Sequence, residues 1–185
     1  MLTVWLTHYV LQKVLNQKCD NDELKLDNNS ENNMKTLSEL QSSSINIVLA
    51  GGVFDIIHPG HINTLNDAKK LGDALVVVVA TDKTALKMKK RKPLHSAQLR
   101  QELVSSLSIV DLCIIGDEEN IFKTVDLVKP QIIALGYDQA HQEKYITDGC
   151  KKINLDVKVA RLESPRPETS SSLIQKEYGD SIHDL

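Results

Sequence analysis

What this chain has little of narrows its function before any motif is found. Its three cysteines, Cys19, Cys113 and Cys150, are scattered and show no metal-ligand spacing. That pattern gives neither a zinc site nor a disulfide framework, and it fits a reducing, cytoplasmic setting. The formal net charge is only −3, so there is no overall basic surface for nucleic acid, and any cationic site must be local. No apolar run reaches the ~20 residues of a membrane span. The opening run to Leu15 is broken by Thr3, Thr7, His8, Gln12 and Lys13, and it lacks the basic start and cleavage site of a signal peptide. No Ser-His-Asp arrangement, paired-carboxylate motif or internal repeat stands out.

What is present divides into three stretches. Leu2, Trp5, Leu6, Tyr9, Val10 and Val14 recur at helical spacing, which predicts an amphipathic N-terminal helix over residues 1–16. Residues 17–44 are rich in Asn, Asp, Glu and Ser and read as a flexible polar linker, with a short helical piece near 34–40. Residues 45–185 form the third stretch, in which apolar runs at 45–50, 74–80, 112–115, 131–135 and 157–160 alternate with helical patterns. The runs are nearly continuous Val, Ile and Leu, as expected of strands buried on both faces. The alternation predicts a Rossmann-like α/β domain: a parallel sheet with helices on both faces and right-handed crossovers. Ligands of such sheets bind beyond the carboxyl ends of the strands.

The first apolar run leads into Gly51-Gly52-Val53-Phe54-Asp55-Ile56-Ile57-His58-Pro59-Gly60-His61, and a helical pattern follows. Glycines let the backbone approach an anion, and the free N–H groups of a helix start favour it. His58 and His61, on either side of Pro59 and Gly60, then point into one pocket. After the second run come Lys83, Lys87, Lys89, Lys90, Arg91 and Lys92, a basic segment able to close over a polyphosphate as a mobile loop. Arg100, early in the next helix, is a further candidate for the phosphates; its alternative is a surface arginine paired with Glu102 or Asp111. The fourth run ends in Gly136-Tyr137-Asp138-Gln139. With no nucleophile in evidence, the site suits positioning and charge stabilisation at a phosphorus centre whose substrate supplies the attacking oxygen.

Gly52-Val53-Phe54-Asp55-Ile56-Ile57-His58-Pro59-Gly60-His61 resembles the G-x-F-D-x-x-H-x-G-H signature of the cytidylyltransferase-like nucleotidyltransferases. Two later motifs extend the resemblance: Leu135-Gly136-Tyr137-Asp138-Gln139, and the serine cluster Glu168-Thr169-Ser170-Ser171-Ser172. Within the superfamily the chain is most similar to archaeal-type FAD synthetases, through His-Pro-Gly-His-Ile-Asn, Arg91-Lys92-Pro93 and the run from Lys129 to Gln139. The resemblance implies the HUP-type nucleotidyltransferase fold and transfer of AMP from ATP to FMN, with magnesium bridged by the nucleotide phosphates and no direct protein ligand. It implies catalytic roles for His58, His61 and Lys90. Nucleotide contacts are implied for Val53, Phe54, His58, Pro59, Gly60, His61, Gly136, Tyr137, Asp138, Arg166, Ser170 and Ser171, with Arg100 as the further candidate. It also implies small-molecule partners, no nucleic acid or membrane, and a possible homodimer. Alternative readings are a CTP-dependent cytidylyltransferase acting on a phosphorylated alcohol, a sugar-phosphate nucleotidyltransferase, and a non-enzymatic nucleotide-sensing module.

Overall fold

A computed structural model describes residues 35–136, 139, 142–163 and 174. The expected helix over residues 1–16 lies outside these residues, as do Tyr137, Asp138, Arg166, Ser170 and Ser171.

Five strands form one parallel sheet: β1 (Ile47–Gly52), β2 (Ala74–Val79), β3 (Leu112–Ile115), β4 (Ile132–Leu135) and β5 (Lys158–Arg161). Their spatial order is β3-β2-β1-β4-β5, and all four pairings are parallel. The five apolar runs seen in the sequence are these five strands, and the Rossmann-like α/β fold is as expected. The order reverses between β1 and β4, so the crevice of this sheet lies beyond their carboxyl ends.

Alternation along the strands divides the core in two. Val48 and Ala50 of β1 join Leu75, Val77 and Val79 of β2 in one cluster. Ile47 and Leu49 join Ala74 and Val76 in the other. This period of two places each set on one face of the sheet. The first cluster is completed by Leu65 of α2 (Pro59–Lys69) and Val104 of α4 (Ala97–Ser105). The second is completed by Leu40 of α1 (Leu37–Ser42), Val125 of α5 (Ile121–Val128) and Ile146 of α6 (Glu143–Lys152). Helices therefore cover both faces, which is why the strands tolerate no polar side.

One helix sharpens the sequence reading and another departs from it. α1 is the short helical piece expected near 34–40, at the end of the polar stretch. A capping box forms it: Thr36 Oγ1 accepts from Glu39 N–H, and the Glu39 carboxylate accepts from Thr36 N–H at 2.6 Å. Its Leu40 is 1% exposed, and Gln41 donates to the Leu127 and Val128 carbonyls that end α5. The second is α3 (Asp82–Lys89), where a mobile basic loop was expected. Thr81 caps it by accepting from Thr84 N–H; Asp82 lies in its first turn, Lys87 and Lys89 in its last. Each charge complements the helix dipole at its own end. The irregular part of the basic segment begins only at Lys90, in the left-handed conformation with φ 55°.

Candidate active site

β1 delivers the glycine-histidine turn to the crevice. Gly51 and Gly52 are its last two residues, and α2 begins at Pro59, whose fixed φ suits the first helical position. His58 is the extended residue before the helix, and its side chain makes no capping bond. Its carbonyl instead accepts from His61 N–H at 2.9 Å and Ile62 N–H at 3.3 Å.

Those rings lie against each other. Their centroids are 3.8 Å apart with planes tilted by 32°, and the Phe54 ring stands 5.1 Å from His61. Nδ1 of each histidine is buried and has no hydrogen-bond partner. Buried polar atoms in native proteins nearly always have partners, so two orphaned nitrogens side by side ask for an explanation, and a bound ligand is one. Burial lowers the pKa of His61 to about 4, with the neighbouring His58 and Lys89 adding to the effect against a contribution from the Ile56 backbone. Burial and then Lys89 lower that of His58 too. At neutral pH the pair is uncharged, so each ring carries one N–H and one lone pair, and the His61 ring already bonds the Ile56 backbone.

The basic segment is fastened beside this turn. The Asp55 carboxylate is 3% exposed. It accepts from Arg91 Nη1 at 3.0 Å, from Leu94 N–H at 2.8 Å and from His95 N–H at 3.1 Å. Burial alone would raise its pKa, but these donors outweigh burial and hold it below the ordinary value. Asp55 is thus a tether between the histidine turn and the end of the basic segment. Arg91 is occupied by that tether. Lys89, in the last turn of α3, is the cation whose charge bears on both histidines, a residue the sequence reading passed over in favour of Lys90. Lys90 is exposed.

Arg100 is neither a surface residue nor a ligand-facing one. It is 0% exposed, and its guanidinium donates to Asp82 Oδ1 at 2.6 Å, the Val53 carbonyl at 2.7 Å and the His95 carbonyl at 3.0 Å. Neither partner named from sequence, Glu102 or Asp111, is the one it takes. The expectation of a nucleotide contact is corrected on this ground: a fully buried side chain engaged in three directions has no face to offer a phosphate.

At the crevice itself Gly136 follows β4, and its N–H donates to Gln139 Oε1 at 3.1 Å. Gln139 Nε2 donates in turn to the Gly51 carbonyl at 3.3 Å. One side chain thus spans the carboxyl ends of β1 and β4, a role that sequence spacing did not reveal. Next to it opens a cleft of about 250 Å³. Leu49, Val78, Ile121, Leu135 and Ile146 make its apolar walls; Thr81, Thr84, Asp117 and Gln139 are its polar points. Gly51 and Gly52 border the cleft and also begin the histidine turn, so the two meet at one strand end.

Known proteins agree with this geometry. The chain is 46% identical over 134 residues to a FAD synthase of Aciduliprofundum boonei, spanning 72% of this chain and 80% of that protein. It is 47% identical over 125 residues to a FAD synthase of Picrophilus torridus, spanning 68% of this chain and 89% of that one. A solved structure described as a lipopolysaccharide core biosynthesis protein from Thermoplasma volcanium superposes with a TM-score of 0.62 at 45% identity, covering 65% of this chain and 98% of that chain. A sequence profile described as cytidylyltransferase-like matches residues 49–177. That match takes in β1, the stacked histidines, the tethered basic segment and the crevice at β4, and the chain belongs to the cytidylyltransferase-like family.

Proposed function

We propose that this protein is an FMN adenylyltransferase, joining the AMP of ATP to the phosphate of FMN and releasing pyrophosphate. The relatives named FAD synthase support the reading. The observation that carries it is the apolar cleft opening where the histidine turn begins. A flavin ring is planar and largely apolar and fits such walls, with Thr81, Thr84, Asp117 and Gln139 available to its polar edge. A glycerol phosphate would leave the same walls unused.

In this reading a phosphate oxygen of FMN attacks the α-phosphorus of ATP. The new O–Pα bond forms as the bond from Pα to the bridging oxygen of the β-phosphate breaks, and the electron pair leaves with pyrophosphate. His58 and His61 hold the phosphoryl oxygens and stabilise the charge that develops as the α-phosphorus is attacked. Lys89 or Lys90 supplies the positive charge that the transition state needs. Backbone groups of Val53, Phe54, Pro59 and Gly60 line the phosphate side. Gly136, Tyr137 and Asp138 hold the nucleoside, while Arg166, Ser170 and Ser171 complete the triphosphate pocket.

Among the described residues no group of three His, Cys, Asp or Glu side chains could hold a metal ion. Magnesium is read as arriving on the triphosphate, since this ion keeps its waters and binds through phosphates. When bound it would supply charge neutralisation there, and the protein's residues position what it neutralises. Among the described residues no helix is long and apolar enough to cross a membrane. A cytoplasmic enzyme of small-molecule substrates, able to pair as a homodimer and making no use of nucleic acid, fits this chemistry and the free, buried Cys113 and Cys150.

Gly51→Leu tests the acceptor cleft. A Cβ at Gly51 meets only the Val78 carbonyl oxygen, at 3.8 Å, so the backbone accepts the change and the side chain fills the cleft. Flavin fluorescence titration should show FMN binding weakened by ~10-fold or more, as expected for a filled apolar pocket, with ATP binding unchanged. Equal FMN affinity in the variant would remove the flavin from this cleft.

A further inference from the structure

Arg100 is the largest fully buried side chain among the described residues, and burying a guanidinium is costly unless every direction is used. Its three acceptors come from three segments: Val53 just after β1, Asp82 at the start of α3, and His95 just before α4. A planar fork can serve three such directions at once, whereas a lysine ammonium is a single compact charge.

The Val53 bond has a consequence for the active site. No peptide bond described is cis, and in a trans peptide the C=O and the following N–H point in opposite directions. With the Val53 carbonyl held on Arg100 at 2.7 Å, the Phe54 N–H is turned away from α4. Among the described residues no backbone carbonyl receives it. Phe54 also has φ 52°, a left-handed conformation that a bulky side chain adopts only when its surroundings enforce it. Its ring lies against His61, so the free N–H belongs to the same turn as the two orphaned histidine nitrogens.

We propose that Arg100 is a positioning residue: by holding the Val53 carbonyl it aims the Phe54 N–H at the phosphoryl group undergoing attack. The inference rests on the nucleotidyl-transfer reading and adds to it the device that keeps a strained peptide in its working orientation. Asp82 is the counter-ion that keeps the guanidinium in place, and its side chain is 50% exposed. Substituting Asp82 therefore disturbs Arg100 without opening the core.

The experiment compares wild type with Arg100→Lys, Asp82→Ala and the conservative Asp82→Glu. A non-hydrolysable ATP analogue is added without FMN, and the Phe54 amide is followed by 15N–1H NMR. Steady-state kcat and the KM for ATP are measured on the same samples after confirming cooperative unfolding. The analogue should move the Phe54 amide strongly in wild type and Asp82→Glu, and little in the other two. Loss of one aimed donor should lower kcat by roughly 10- to 100-fold, while the KM for ATP shifts by less than about threefold. Should Arg100→Lys fail to fold, Asp82→Ala decides. Wild-type kcat with a wild-type amide response in Asp82→Ala would overturn the proposal, as would a Phe54 amide that ignores the analogue in the wild type. A protein that responds at Phe54 but forms no FAD would reject the FMN reading and leave this inference standing.

Discussion

Cutting the Asp55 tether should cost stability, in an amount that follows from the bonds it breaks. Asp55→Ala leaves Arg91 Nη1 and the Leu94 and His95 N–H groups without their shared acceptor. Removing one partner of a buried ion pair costs ~3–5 kcal/mol. Arg91 keeps 24% of its side chain exposed and can turn to water, so about 3 kcal/mol is the expected loss. At about 2–4 °C per kcal/mol for a domain of this size, the midpoint should fall by roughly 10 °C. Asp55→Asn keeps an oxygen for the two backbone donors and loses only the charged bond, worth about 1.5–3 kcal/mol. The pH dependence follows from the lowered Asp55 pKa. A carboxyl with a depressed folded pKa stabilises the native state above its unfolded pKa of about 3.9, and this is lost as pH falls through the folded value. The gap between wild type and Asp55→Asn should thus be full at pH 7 and shrink on acidification. Denaturant unfolding followed by circular dichroism at a series of pH values measures it. An Asp55→Ala variant within about 1 kcal/mol of wild type at pH 7 would refute the tether, since surface-like substitutions fall within roughly that range.

The remaining predictions concern the histidines and the cation beside them. Lys89→Ala should lower kcat by about 100-fold, as expected for one charge-stabilising donor, and raise the pH at which His58 and His61 protonate; Lys90→Ala assayed in parallel shows which lysine carries the charge. Ring NMR should place the His61 midpoint near 4, well below the ordinary imidazole value. Because the unfolded chain then binds more protons than the folded one between about pH 4 and 6.5, stability should rise with pH across that window. ATP should reverse this trend by supplying negative charge, and calorimetry in buffers of different ionisation enthalpy should detect proton uptake on binding.

Much of the fold was legible because its strands are buried on both faces. The runs at β1, β2 and β4 are almost uninterrupted aliphatic residues, and no surface helix or loop needs that composition. The histidine turn was legible because proline, glycine and two histidines are fixed there by local geometry. α3 was obscured by its own lysines: a run of cations reads as a solvated loop, although Thr81 with Asp82 gave the signature of a helix start. The capping box of Thr36 and Glu39 was likewise present in the sequence inside a polar stretch. Arg100 was noticed in the sequence, but its burial and its partners were not legible there. Its partners Val53 and Asp82 lie 47 and 18 positions away, and only the folded sheet brings them together. Lys89 and Lys90 are neighbours that sequence cannot separate; the fold puts Lys89 at the end of α3 and Lys90 just after it, in the left-handed conformation.

The central claim is the joining of AMP to FMN, and labelled transfer tests it most directly. The purified protein is incubated with FMN, magnesium and ATP labelled at the α-phosphorus, with α-labelled CTP in a parallel reaction, and the products are separated by chromatography. The account predicts label in FAD, in equal amount with the pyrophosphate released, and little or none in a cytidine product. Labelled nucleotide that never enters a flavin dinucleotide, with either triphosphate, would contradict it.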